Sequence, residues 1–120
     1  MRKQSSKEVA PRIFPHLVRL AEDHRTERYG KFSETIGWGH ARSINRALVW
    51  LMFWCDTKGL PPLTCLIVNG TGLPGHGLTT VDTSKAAQLE ARQRVFEYPW
   101  RSVSAPTIGA LEEARSKSER

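Results

Sequence analysis

The sequence predicts a small, mostly helical α/β domain, and three observations carry that reading. Apolar residues recur at helical spacing in two places, Ile13, Leu17, Leu20 and His24 in one and Ile44, Ala47, Leu48, Leu51 and Cys55 in the other. The short run Leu63-Thr64-Cys65-Leu66-Ile67-Val68 is apolar on both faces and follows Pro61-Pro62, which is the pattern of a buried strand. Finally, 120 residues with four Trp, four Phe and two Tyr can bury one core without disulfides or metal.

Taken in order, residues 1–10 are polar and basic and are expected to be a flexible N-terminus. Pro11 suits the first turn of a helix, where its missing N–H costs nothing, so the first helix is expected over about 11–27. Its outer face carries Arg12, Arg19, Glu22 and Arg25, a mixed surface that reads as solvation. Gly30 interrupts the chain, and Lys31–Ile36 reads as a short second helix with Phe32 and Ile36 four apart and Gly37 as its stop. After the tight Gly37-Trp38-Gly39-His40 turn a long third helix runs from Ala41 to Lys58. Gly59 stands in the left-handed stop position, and Pro61-Pro62 forbids continuation.

Beyond the strand, Asn69 to Gly77 holds four Gly and one Pro in nine residues and must be a loop. It matches G-x-G-x-x-G, but Pro74 lies inside the match and no βαβ unit surrounds it, so no dinucleotide cofactor is expected. A fourth helix is expected over about 84–97, capped by Asp82 or Thr83, with Ala86, Leu89 and Phe96 inward. Pro99 ends it and Trp100 packs back on the core. This makes one domain over 11–101, followed by a polar tail over 102–120 with a short helix at 108–116.

Eighteen Lys and Arg against twelve Asp and Glu leave a net charge of +6, which favours polyanionic partners without choosing among DNA, RNA, acidic protein or membrane surface. The longest apolar run, Ala47–Cys55, is far short of the roughly 20 residues a membrane helix needs. No secretory h-region follows Met1-Arg2-Lys3, and two cysteines ten positions apart read as reduced core thiols. A cytoplasmic protein with no membrane association is the expectation.

Two helices joined by a Gly-containing turn outline a helix-turn-helix. The third helix starts with Arg42, Asn45 and Arg46 on an edge apart from its apolar face, and such residues in the first turns of a helix can meet base edges or phosphates. An ordinary core helix with a solvated polar edge is the competing reading.

With these motifs placed, residues 29–77 resemble the C-terminal winged-helix DNA-binding domain of the O6-alkylguanine-DNA alkyltransferases and the alkyltransferase-like proteins. The resemblance rests on Tyr29-Gly30, Ile36-Gly37, Ala41-Arg42-Ser43-Ile44, Ala47-Leu48, Pro61-Pro62, the strand through Val68, and the Gly-rich loop ending near Gly77. It implies a small winged helix-turn-helix domain with a short buried strand. By the same resemblance Arg42 enters the duplex through the minor groove and fills the space of a flipped nucleotide, while Tyr29 turns the neighbouring phosphate. The link between the second and third helices is about one residue shorter than in the family. The family's reactive Pro-Cys-His-Arg run is replaced by Leu63-Thr64-Cys65-Leu66, which places Cys65 one position out of register and without a His beside it.

In a strand, that one-residue offset would turn Cys65 to the opposite face, so no catalytic residue is assigned. Cys55, Cys65, His40 and His76 lack the paired spacing of a zinc site, and neither a metal nor a cofactor is expected. Trp50 and Trp54 fall in the apolar block and are expected in the core, whereas Trp38, flanked by two glycines, is a candidate contact. His76 in the loop is a surface residue or a phosphate contact. The reading is a non-catalytic DNA-binding protein whose interface comprises Tyr29, Lys31, Trp38, Arg42, Asn45, Arg46 and His76. The alternatives are a small phage or mobile-element inhibitor that binds a protein or ribonucleoprotein, and a degenerate alkyltransferase or nuclease specificity module.

Overall fold

A computed structural model describes residues 6–36, 41–68 and 84–118. The elements run α1 (Ser6–Glu22), β1 (Glu27–Arg28), α2 (Tyr29–Ile36), α3 (Ala41–Lys58), a 3-10 turn (Leu63–Leu66), β2 (Ile67–Val68), α4 (Lys85–Glu97), a second 3-10 turn (Trp100–Ser102) and α5 (Ile108–Ser118). Helix α3 lies at the centre, packed against α1 and α5, while α4 leans on the first 3-10 turn. The two short strands pair in parallel, with Glu27 opposite Ile67 and Arg28 opposite Val68. A mostly helical α/β chain is therefore what the sequence forms.

Helix α1 begins at Ser6, ahead of the expected start at Pro11. Val9 and Ala10 are buried at 3% and 0%, and they continue the face formed by Ile13, Phe14, Leu17, Leu20 and Ala21. Burial of that first turn outweighs the backbone hydrogen bond that Pro11 cannot donate. The helix also ends earlier than expected, at Glu22 rather than near 27. Its end is a Schellman motif: the Arg25 N–H donates to Leu20 O at 2.9 Å and the His24 N–H to Ala21 O at 3.1 Å. His24 takes the left-handed position usually given to Gly, with φ of 54°, and its exposed ring stacks on Phe96 at 5.0 Å instead of facing the core.

Helix α3 closes in the same way. Gly59 has φ of 69°, the Leu60 N–H donates to Cys55 O at 2.9 Å, and the Gly59 N–H donates to Asp56 O at 3.3 Å. Along its length Ile44, Ala47, Leu48, Leu51, Trp54 and Cys55 are buried. Trp54 meets Phe14 edge-on at 5.6 Å, and Phe14 in turn meets Trp100 edge-on at 6.4 Å, which joins α1, α3 and the second 3-10 turn in one aromatic cluster. The Trp100 indole N–H donates to Val95 O at 2.8 Å, so this ring enters the core with its polar atom satisfied.

Four expectations need correction. The run Leu63–Val68 is not a six-residue strand, because Leu63–Leu66 turns as a 3-10 helix and only Ile67 and Val68 pair. All six side chains are buried, and a run that is apolar on every side has no period with which to tell a strand from a turn. In α4 the inward face is Gln88, Ala91 and Val95, whereas Ala86 is exposed, Leu89 is 53% exposed and Phe96 is half-buried. Ser84 caps this helix, not Asp82 or Thr83: its Oγ accepts from the Ala87 N–H at 3.2 Å. Residues 102–120 are not simply a polar tail, since α5 buries Leu111 and Ala114, and Thr57 of α3 donates its hydroxyl to Ala114 O at 3.4 Å.

Candidate nucleic-acid interface

Helices α2 and α3 are separated by residues 37–40, so the chain does present two consecutive helices with a short connection. Tyr29 opens α2, half-buried and packed against the core, and Lys31 follows it, exposed. Phe32 is 1% exposed and anchors α2, which leaves the polar side of this short helix outward. Arg42 and Asn45 belong to the first two turns of α3, and Arg46 on the same helix is exposed. Trp38, His76 and the side chains of Arg42 and Asn45 lie outside the described residues, as does the Gly-rich loop.

Two of the expected contact residues line separate depressions. Arg46 lines a groove of about 490 Å³ with Val49, Trp50 and Arg115, where α3 and α5 meet. The Arg115 guanidinium lies 5.2 Å from the Trp50 ring centroid and 5.0 Å from that of Phe53. Trp50 is thus half-buried beneath a cation rather than in the core, which corrects the sequence reading. Lys31 lines a different cleft, of about 410 Å³, where the end of α1, β1 and α2 come together. Its walls include His16, Arg19, Arg25 and Arg28; Arg19 and Arg25 had been read as part of a solvated face, and His16 and Arg28 were not singled out from sequence. Two signals were available: His16 and Arg19 share a helix face three apart, and Arg25, Arg28 and Lys31 repeat every third residue. Arg115 carried no such signal, because its role depends on α5 folding back on α3.

Burial disfavours the thiolate of both cysteines. Removal from water pushes Cys55 up to about 12, outweighing the hydrogen bond with Leu63 that lowers it. Burial also carries Cys65 to about 12, against the nearby Arg92 and Arg94 charges that favour its thiolate. Cys65 sits in the 3-10 turn with no exposed surface. Burial, not strand register, is therefore what disfavours its thiolate at neutral pH. Among the described residues no three His, Cys, Asp or Glu side chains gather as metal ligands, and no helix is long and apolar enough to cross a membrane.

No family model, curated protein or solved structure matches this chain.

Proposed function

We propose that the protein binds duplex DNA without catalysis, as a domain of winged-helix type that applies α3 and the start of α2 to the nucleic acid. The observation that carries this reading is the pair of exposed cations Lys31 and Arg46, one on each of two consecutive helices, in a chain of net charge +6. Cations placed this way neutralise backbone phosphates, the main source of affinity for DNA. In the chain the helix pair is flanked by β1 and β2, which pair in parallel with each other and lie against α2. Arg42, one turn before Arg46, is the side chain assigned to the groove, with Asn45 beside it and Tyr29 at a phosphate.

Fluorescence anisotropy with short duplexes at two salt concentrations tests the proposal. Wild-type affinity falls steeply as salt rises. Arg46→Ala lowers the slope of log K against log salt by about one unit, as expected for one phosphate contact. Arg42→Ala weakens binding by roughly 1–3 kcal/mol while the circular dichroism spectrum is unchanged. Wild-type affinity that is weak and insensitive to these substitutions sinks the reading.

The α3–α5 groove favours a second reading, that of an inhibitor which binds another protein. Arg46, Trp50 and Arg115 are residue types that dominate protein interfaces, and here they line one depression. Under that reading Trp50→Ala abolishes capture of the partner, and duplex DNA does not compete.

A further inference from the structure

We propose that the cleft between α1, β1 and α2 holds a phosphodiester group of the nucleic-acid backbone, which extends the contact surface beyond the helix pair. This inference rests on the DNA-binding reading above. Charged or titratable groups reach the cleft from every element around it: His16 and Arg19 from α1, Arg25 from the loop after it, Glu27 and Arg28 from β1, and Lys31 from α2. Four permanent cations therefore face one carboxylate. Glu27 Oε1 lies 3.4 Å from the Thr35 hydroxyl, which also reaches Lys31 O at 3.0 Å, so the carboxylate keeps its charge and four cations outweigh it. Arg25 lies 3.6 Å from Asp23, but both side chains are at least half exposed, and a solvated pair of that kind is weak enough for a phosphate to compete with it.

The backbone adds to the same field. Helix α2 starts at Tyr29, between the cleft residues Arg28 and Lys31, and its first turn contains no acidic side chain. The unsatisfied N–H groups at a helix start attract anions. Gly30 within that turn is exposed, and a side chain added there would meet nothing within 4 Å, so the approach to this backbone is open. Guanidinium groups match phosphate oxygens in pairs, and Arg19, Arg25 and Arg28 supply three of them. The cations are exposed along an open cleft instead of closing around a small cavity, which suits a continuous strand better than a free phosphate ion.

The test compares the full chain with the double variant Arg25→Gln/Arg28→Gln, with Arg46→Ala, and with Lys117→Gln as an exposed cation outside the cleft. Duplex binding is read by anisotropy across a salt series, and circular dichroism reports the fold. The expected result is a salt slope lower by about two units in the double variant, one unit for each lost phosphate contact. Lys117→Gln is expected to leave the slope unchanged. A second arm titrates inorganic pyrophosphate while following the amide resonances of Thr26 and Lys31. Saturable shifts on pyrophosphate, with a double variant that binds duplex like wild type, assign the cleft to a free phosphate and overturn the proposal. An unchanged slope in the double variant beside a reduced one in Arg46→Ala overturns the cleft alone and leaves the DNA reading standing. Absence of salt-dependent duplex binding by the wild type overturns the DNA reading, and the cleft proposal with it.

Discussion

Single residues in this chain divide by how much of the side chain the fold removes from water. Trp54 and Trp50 stand one helical turn apart in the same apolar block, yet one is 5% exposed against Phe14 and the other lies half-open under Arg115. Trp54→Ala should cost roughly 3–5 kcal/mol in urea unfolding, since the cavity opens between α1 and α3. Trp50→Ala should cost clearly less, because water already reaches that ring; equal losses would mean that Trp50 is a core residue after all. The thiols offer a second test. Both are held up at about 12 against an ordinary 9.0, so the fold favours their protonated form. That contribution is complete below pH 9.0 and is lost as pH rises toward 12, where the unfolded chain alone gains by ionising. Iodoacetamide at pH 8 should leave Cys55 and Cys65 unmodified in the native protein and label both in urea. Native labelling of Cys65 would reopen the question of a reactive thiol.

At the level of elements, a helix end was legible where a glycine marked it. Gly59 could be read as the stop of α3 because only a residue without Cβ enters φ of 69° without strain, and Pro61-Pro62 reinforced it. The matching motif at the end of α1 was invisible, since His24 occupies its left-handed position and no glycine marks it. Gly59→Ala isolates this effect: an added Cβ would touch nothing within 4 Å, so the loss, on the order of 1–2 kcal/mol, is conformational alone. A melting temperature unchanged by that substitution would show that α3 does not need the motif. The run Leu63–Val68 and the face of α4 were misjudged for a related reason: uniform apolarity in the first and sparse apolarity in the second leave no period to follow. For the candidate interface, Lys31 and Arg46 were found because they lie beside helix signals. Arg115 was missed because its neighbours come from a distant segment.

At the scale of the whole molecule, the issue is whether α5 belongs to the fold or merely follows it. Its sequence is charged and short, and such a helix is marginal in water by itself. Its order must therefore come from α3, where Leu111 is fully buried, Ala114 is 2% exposed and Arg115 crosses the Trp50 and Phe53 rings. Leu111→Ala should then destabilise the entire protein by roughly 2–5 kcal/mol, as expected for a leucine removed from a packed interior. If α5 is integral, urea unfolding of this variant stays a single transition with a lower midpoint and an unchanged slope, because the surface exposed on unfolding is the same. A detachable α5 would give a different result: the main transition would hold its midpoint, and only the α5 amides would lose protection from hydrogen exchange. Arg115→Ala then separates packing from recognition, because it uncovers Trp50 while leaving Leu111 in place. The groove beside Arg46 depends on α5 staying docked. Leu111→Ala should consequently weaken any ligand of that groove at temperatures where the variant begins to open, and restore full binding on cooling.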